Sequence, residues 1–443
     1  MYGMIKFKNW EAKKETKYSK INYYYENEKI DEFELEDIVD TYDLEQVKKL
    51  FENDKIEERA FRDSDIIEIQ IPENIQEIEK SAFYSCQFLE KIKLPNNINC
   101  IKDHVFYGCK NLDNVIIPEG VTNIDFCAFY GCTNLENITI PDSVTNIGDH
   151  AFAYCKNLEN IDLPDNITNI SENMFYECTY LKQVKLPKNI NSIENGVFYQ
   201  CTHLQNIDIP NTVENIGDNV FAYCYALENV KIPENLTMIN NYTFYQCKSL
   251  KKITIPLNIK SIGTAAFAYC LQLSEINMSE GLKSINTSAF YSCKELKNIT
   301  IPKSVNTIEN NAFTSCSKLK NIKIPKGVAY IKDSTFSQCD KLEEVIIPNS
   351  VINIEACAFQ GCKSLKEITI PLNVVYIGKH AFDKCQKLGK AIIENEKINI
   401  HKKAFNRNTN IIMKKDYEKD LDKIIKDYTI DKPKDYIEQE LEK

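Results

Sequence analysis

Apolar residues recur along this chain at fixed positions within a unit of 23 residues. A phenylalanine stands at Phe83, at Phe106 and every 23 residues onward to Phe405, fifteen times without a change of register. From Phe83 to Phe382 a leucine follows each phenylalanine by six residues, and an isoleucine precedes each one by five. A repeat of this length indicates units that cannot bury their apolar face alone and must stack on their neighbours.

Each unit contains one short stretch of alternating apolar and polar residues. In the unit that begins at Phe129, Ile138 and Ile140 flank Thr139, and Pro141 follows directly. Alternation with a period of two predicts a strand with both isoleucines pointing inward, and proline ends it because it has no N–H to donate. The predicted fold class is therefore a repeat solenoid with 23-residue coils, one short parallel strand per coil and a cap at each end.

The whole unit resembles a known repeat. It reads Phe-x-x-Cys-x-x-Leu-x-x-Ile-x-Ile-Pro, with alanine often preceding the phenylalanine as in Ala128 and Ala151. This pattern is similar to the BspA-like (Treponema-type) leucine-rich repeat protein family, and the resemblance covers most of the chain. It implies a leucine-rich repeat fold and a role in adhesion or ligand binding rather than catalysis. It implies no ligand-binding residue, because the shared residues are the buried ones.

Three regions are predicted. Residues 1–55 form an N-terminal region with a capping helix, indicated by apolar residues at helical spacing from Leu44 to Phe51. Residues 56–413 form the leucine-rich repeat solenoid, with 14 regular repeats and degenerate coils at its ends. Residues 414–443 form a charged, partly helical tail with apolar residues at Leu421, Ile424 and Ile425.

Cysteine usage favours free thiols. Fourteen of the 17 cysteines occupy one repeat position, three residues after the phenylalanine. Equivalent side chains in stacked coils lie about 4.8 Å apart, beyond the roughly 3.5–4.5 Å that a disulfide needs between Cβ atoms. Buried free thiols act as small apolar groups and suit a reducing compartment. The spacing fits no zinc-binding motif, and we predict no metal and no cofactor.

Charge and targeting signals restrict the partners further. The formal net charge of −10 argues against a nucleic-acid partner, which would require a dense basic face. The chain has no apolar run of signal-peptide length and no transmembrane segment of 18 apolar residues. These features predict a cytoplasmic protein, with the cell surface reached by non-classical export as the alternative.

No catalytic motif interrupts the repeats, and the chain is predicted not to be an enzyme. His104, His150 and His380 each stand two residues before a repeat phenylalanine, in a slot that elsewhere holds serine, asparagine or glycine. We interpret them as solvent-facing substitutions rather than as catalytic residues.

Function must then reside in outward positions, and two stripes are candidates. One is a tyrosine that stands one or two residues after the repeat phenylalanine in ten successive coils; this candidate binding strip comprises Tyr84, Tyr107, Tyr130, Tyr154, Tyr176, Tyr199, Tyr223, Tyr245, Tyr269 and Tyr291. The other is an asparagine that opens the strand; this candidate strand-face stripe comprises Asn114, Asn137, Asn160, Asn206, Asn229, Asn298 and Asn321. Each stripe has a structural interpretation as well: rings that cover the coil edges, and amides that hydrogen-bond along a ladder.

The sequence thus predicts a non-enzymatic, adhesin-like repeat protein that binds a protein partner, with a glycan as the alternative ligand. An intracellular scaffold for protein–protein interaction is the alternative. The sequence leaves open the identity of the ligand, the face that binds it and the oligomeric state.

Overall fold

The computed structural model describes residues 4–7, 51 and 53–414. The predicted capping helix before Phe51 and the predicted tail after Lys414 lie outside the described residues. Between residues 53 and 413 the chain forms strands and turns and contains no helix. It divides into two compact units, Met1–Asn258 and Ile259–Lys443.

Each unit is a solenoid of coils with three faces, and the first of these, the strand face, carries the longer strands. In the first unit the strands of this face alternate, along most of the chain, with those of a second face, which carries strands of two residues. The strands of the first unit are β1 Met4–Phe7, β2 Lys55–Ile56, β3 Ile66–Gln70, β4 Glu77–Ile78, β5 Lys91–Lys93, β6 Cys100–Ile101, β7 Asn114–Ile116, β8 Asn123–Ile124, β9 Asn146–Ile147, β10 Asn160–Asp162, β11 Asn169–Ile170, β12 Gln183–Lys185, β13 Ser192–Ile193, β14 Asn206–Ile207, β15 Asn215–Ile216, β16 Asn229–Val230, β17 Met238–Ile239 and β18 Lys252–Ile255.

The second unit repeats this arrangement. Its strands are β19 Ser261–Ile262, β20 Glu275–Met278, β21 Ser284–Ile285, β22 Thr307–Ile308, β23 Asn321–Lys323, β24 Tyr330–Ile331, β25 Glu344–Ile346, β26 Asn353–Ile354, β27 Glu367–Ile370, β28 Tyr376–Ile377, β29 Lys390–Ile393, β30 Asn399–Ile400 and β31 Asn410–Met413. The strand face holds β20, β23, β25, β27, β29 and β31, and the second face holds the other seven strands.

Parallel pairing follows the sequence period on both faces. On the strand face β10 pairs with β12, and Ile161 lies opposite Val184, 23 residues further along. On the second face β11, β13 and β15 pair in the same register. The predicted solenoid with parallel strands is confirmed, and the structure adds a second strand to the coil. This second strand could not be predicted from the sequence, because a strand of two residues is too short to show alternation.

The third face, the turn face, carries the phenylalanine and the cysteine. Within the first unit the Phe221 ring lies between those of Phe198 and Phe244, with centroids 5.5 Å apart on both sides and planes within 8° of parallel. The phenylalanines from Phe83 to Phe382 are buried, as are the leucines and the second-face isoleucines. Burial of this repeated apolar set is the main source of stability, because the hydrophobic effect scales with the apolar area removed from water.

The repeat cysteines have a specific partner. Cys224 donates its thiol hydrogen to the carbonyl oxygen of Phe198 in the preceding coil, with 3.1 Å between Sγ and O. The same oxygen accepts the backbone N–H of Cys201 at 3.1 Å. Both lone pairs of a buried carbonyl are thereby used, and the contact recurs along the array. All 17 cysteines are free, including the fourteen of the repeat position for which free thiols were predicted. The thiols of the repeat position are hydrogen-bond donors as well as apolar filling.

In each coil from Phe61 to Phe382, two residues of the turn face adopt left-handed backbone angles. They stand two residues before and two residues after the repeat phenylalanine, as at His150 (φ 58°) and Tyr154 (φ 61°) on either side of Phe152. This conformation costs a non-glycine residue about 1–2 kcal/mol. In return the N–H points along the coil axis: that of Tyr154 donates to the carbonyl of Tyr176 at 2.7 Å, and that of His150 to the carbonyl of Glu172 at 2.9 Å.

The ends of the array are modified coils. Phe61, in the shortened first coil, stacks on Phe83 at 5.0 Å, and Ser64 takes the position of the missing cysteine. Strand β1 pairs antiparallel with β3, which the sequence did not indicate, and so covers the first edge of the strand face. At the other end β31 pairs with β29 at a spacing of 20 residues, so the last coil is three residues short.

Candidate functional site

The tyrosines of the candidate binding strip lie side by side on the turn face of their unit. In the first unit the ring centroids of successive members from Tyr84 to Tyr245 are 4.6–5.5 Å apart. In the second unit Tyr269 and Tyr291 are 5.2 Å apart. All ten side chains are half-buried. The structure therefore brings the predicted residues together as a row of aromatic rings within each unit.

The position of the tyrosine within the coil sets the orientation of its ring. Where two successive tyrosines both directly follow the phenylalanine, as Tyr84 and Tyr107 do, the rings are parallel within 1° at 4.7 Å. Tyr154 and Tyr223 instead stand two residues after it, in the left-handed slot, next to Ala153 and Ala222. Their rings are turned by 49–73° from those of their neighbours. The strip thus alternates between stacked segments and turned rings.

Stacking limits what the strip can bind. A ring with a parallel neighbour 4.6–4.7 Å away on each side has both faces covered. The Tyr107 ring is in this situation, so it presents its edge and its phenol group to a ligand. Burial raises the pKa of Tyr107, Tyr176 and Tyr199, and it raises the pKa of Tyr223 to about 12. The phenols are therefore protonated at neutral pH and available as hydrogen-bond donors.

Other aromatic residues widen the strip beyond the ten tyrosines that were predicted from the sequence. Phe126 is 43% exposed and lies edge-on to His104 at 5.2 Å and to His150 at 5.8 Å. His104 in turn lies 5.5 Å from Tyr107. The signal was present, because successive coils place an aromatic residue two or three positions before the phenylalanine. The three histidines that we interpreted as solvent-facing are only partly so: His104, His150 and His380 are each half-buried, and burial lowers the pKa of His104.

A cation already contacts one end of the strip. The guanidinium carbon of Arg62 lies 4.8 Å from the centroid of the Tyr84 ring. A second cation–π contact lies beside the strip, with Lys248 Nζ 3.9 Å from the centroid of Tyr225. Such contacts form because the face of an aromatic ring is electronegative. At Tyr84 and Tyr225 the chain itself covers one ring face with a basic side chain.

The candidate strand-face stripe is also placed as a row, and all seven asparagines are exposed. Asn206 and Asn229 are partners in the parallel register, and the Asn229 amide donates to Oδ1 of Asn206 at 3.5 Å. That separation is at the limit of a hydrogen bond, so the contact is weak. The neighbouring outward residues include Asp162 and Lys185, so the face is polar and mixed in charge. The structure supplies no aromatic anchor there comparable to the tyrosines.

The described part of the chain contains neither a metal-ligand cluster nor a membrane-spanning helix. Within residues 53–414 the side chains of histidine, cysteine, aspartate and glutamate form no group of three or more that could hold a metal ion. The same residues contain no helix with the length and apolar character needed to cross a bilayer.

A coil with parallel strands on two faces, turns on the third and a core of phenylalanine, leucine and isoleucine defines a solenoid of the leucine-rich repeat class. The family model described as the BspA type leucine-rich repeat region matches residues 14–134, 40–158, 99–228, 237–362 and 329–427. The chain belongs to this family. The predicted resemblance is therefore confirmed.

One solved structure agrees with this assignment, and a second shows similarity alone. A leucine-rich repeat protein from Bacteroides ovatus is 30% identical with a TM-score of 0.68, over 81% of this chain and 87% of that one. A leucine rich cell surface protein from Faecalibacterium prausnitzii is 29% identical with a TM-score of 0.43, over 66% of this chain and 82% of that one. Comparison with proteins of curated function gave no match.

Proposed function

We propose that this chain is a non-enzymatic binding protein, and that the tyrosine strip of its first unit is the surface that contacts a protein partner. The observation that supports this proposal is the continuity of the row from Tyr84 to Tyr245, whose rings hold one another in place. Aromatic side chains fixed before binding lose little conformational entropy in the complex, and tyrosine is enriched among residues that dominate binding energy.

A protein partner fits this surface better than a glycan. Sugars bind to aromatic residues through open ring faces, whereas the stacked segments cover those faces and offer ring edges and phenol hydroxyls. A row of hydroxyl donors and ring edges suits a polypeptide with backbone carbonyls and apolar side chains. In the second unit the corresponding row ends at Tyr291, and the following coils carry Thr314 and Ser337 in its place.

The test replaces Tyr154, Tyr176, Tyr199 and Tyr223 together, once by serine and once by phenylalanine. Both variants are compared with the native chain for adhesion to a panel of immobilised extracellular-matrix and mucosal proteins and for capture of proteins from the source cells. The phenylalanine variant keeps the rings in contact and is the control for folding. We expect binding to be lost with serine and to be weakened but still measurable with phenylalanine, which keeps the ring edges and removes the hydroxyl donors. Equal binding by the serine variant would remove the strip as the contact surface.

Location decides between two forms of this function. By its family resemblance the protein would be an adhesin at the cell surface. The free thiols favour the alternative, an intracellular scaffold, because reduced cysteines persist in a reducing compartment. Brief treatment of intact source cells with an external protease distinguishes them. Loss of the protein before lysis supports the adhesin, and protection until lysis supports the scaffold.

A further inference from the structure

Charge on the strand face is segregated into two bands, one in each unit. The outward positions of a coil on this face are the residue after the repeat leucine, the outward residues of the strand and the residue after the proline. In three successive coils of the first unit these positions carry no lysine and seven carboxylates, which form the acidic band: Asp113, Glu119, Glu136, Asp142, Glu159, Asp162 and Asp165. In two successive coils of the second unit they carry no carboxylate and five lysines, which form the basic band: Lys297, Lys303, Lys320, Lys323 and Lys326.

The two bands use the same positions of the coil with opposite sign. Directly after the leucine stand Asp113, Glu136 and Glu159 in the acidic band, and Lys297 and Lys320 in the basic band. Directly after the proline stand Glu119, Asp142 and Asp165 in the one, and Lys303 and Lys326 in the other. Backbone bonds keep the members of a column adjacent: the N–H of Glu159 donates to the carbonyl of Glu136 at 3.1 Å, and that of Lys320 to the carbonyl of Lys297 at 3.0 Å. The spacing of the charges is therefore the same in both bands.

Most of these charges lack a counter-charge within their own chain. Among the described residues, the one ion pair that involves either band joins Glu159 to Lys182 at 2.7 Å. Glu159 is half-buried, and the other members of both bands are exposed. Like charges in neighbouring coils stand about 4.8 Å apart along the array and repel one another. Each band would therefore be stabilised by a surface of the opposite sign.

The coils that border each band reverse its sign. The acidic band is bordered on one side by Lys91 and Lys93, with Glu90 beside them, and on the other by Lys182, Lys185 and Lys188. The basic band is bordered by Glu275 and Glu280 on one side and by Glu343 and Glu344 on the other. A displacement of one band along the other would bring like charges together, which disfavours other registers. The two surfaces are thus complementary at their borders as well as at their centres.

We propose that the chain associates with a second copy of itself, with the acidic band of one copy against the basic band of the other. A second copy is the partner because one molecule supplies both surfaces, in the same columns and with matching borders. The contact joins two different surfaces, so a pair of copies either forms both contacts and closes as a symmetric dimer or leaves one band free for a further copy. This inference is independent of the function proposed for the tyrosine strip, which lies on the turn face.

The test measures the mass of the full chain by sedimentation velocity over a range of chain concentrations. Raising the salt from about 0.1 M to about 1 M NaCl shortens the screening length from about 10 Å to about 3 Å. We expect dimers or larger assemblies at the lower salt and an association constant at least about tenfold smaller at the higher salt, because exposed charges are screened.

Two charge-reversal variants make the test specific. Lys297→Glu/Lys320→Glu/Lys323→Glu reverses the basic band, and Glu136→Lys/Asp142→Lys/Asp162→Lys reverses the acidic band. Equivalent coils already hold residues of the new sign at these positions, so both variants are expected to fold. Each variant alone should be monomeric, and an equimolar mixture should associate again, because the acidic band of the first meets the new lysines of the second. The control is Lys260→Glu/Lys283→Glu/Lys384→Glu, which reverses three exposed lysines outside the strand face and should leave association unchanged.

Three results would overturn the proposal. The first is a native chain that is monomeric at about 0.1 M NaCl. The second is association that persists in both variants or is unchanged by salt, which would assign the contact to uncharged residues. The third is a mixture of the two variants that stays monomeric, which would show that the two bands do not bind each other.

Discussion

Replacement of Phe221 by alanine removes the central ring of three in the first unit. The ring is fully buried and stacks on Phe198 and Phe244 at 5.5 Å. Truncation of a buried phenylalanine typically costs about 3–5 kcal/mol, because apolar contact is lost and a cavity remains. We expect the upper part of that range, since a parallel stack is lost on each side and each is worth about 0.5–1.5 kcal/mol beyond area burial.

Urea denaturation followed by circular dichroism measures the loss. The control is Phe221→Leu, which keeps most of the volume and is expected to cost about 1 kcal/mol. Each coil contacts only its neighbours, so a weakened coil can also divide the transition into two steps. A free energy of unfolding within 1 kcal/mol of the native value for Phe221→Ala, in a single transition, would contradict the placement of this ring in the core.

Three further changes test other contacts. Cys224→Ala removes the donor to the Phe198 carbonyl and should lower the free energy of unfolding by about 1–2 kcal/mol, whereas Cys224→Ser keeps a donor and should recover part of that loss in the same urea titration. Burial raises the pKa of Cys316 to about 12 and that of Cys127 to about 11. At pH 8 both thiols should therefore resist alkylation by iodoacetamide until denaturant is added, and rapid labelling of the native protein would contradict their burial. The raised pKa of Tyr223 stabilises the folded chain below about pH 10, and this contribution disappears as pH rises toward 12. Subtracting the alkaline absorbance titration of Tyr223→Phe from that of the native chain should leave one phenol that ionises near pH 12. Ionisation of that phenol near pH 10 would refute the assignment.

The residues that define the repeat could be interpreted from sequence because each has one dominant physical preference. Phenylalanine and leucine at fixed spacing predict burial, and proline after an alternating stretch predicts the end of a strand. The left-handed positions could not be predicted in this way. His150, Tyr154 and Gln200 occupy them without the glycine that usually marks such a backbone, since bonds to the next coil compensate for the strain.

The candidate surfaces were predicted as sets of residues but not as arrangements. Spacing alone placed Tyr154 in the strip, yet only the structure shows that its ring is turned relative to Tyr130 and Tyr176. Phe126 was overlooked because the aromatic residue in this part of the coil changes both type and position, from His104 to Phe126 to His150. The donor role of the thiols was missed for a similar reason: the period identifies a buried slot without showing which carbonyl lies opposite.

Fixed register on all three faces determines how such a chain can change in length. Between the two modified end coils, each coil bonds to the next at separations of 22–26 residues on every side, so one inserted residue would misalign the strands, the turn and the thiol contact together. A gain or loss of 23 residues preserves every bond, because the new coil meets the same partners as the one it displaces. Duplication or deletion of whole coils is therefore the route by which this array can lengthen or shorten, and with it the row of tyrosines that a partner would meet.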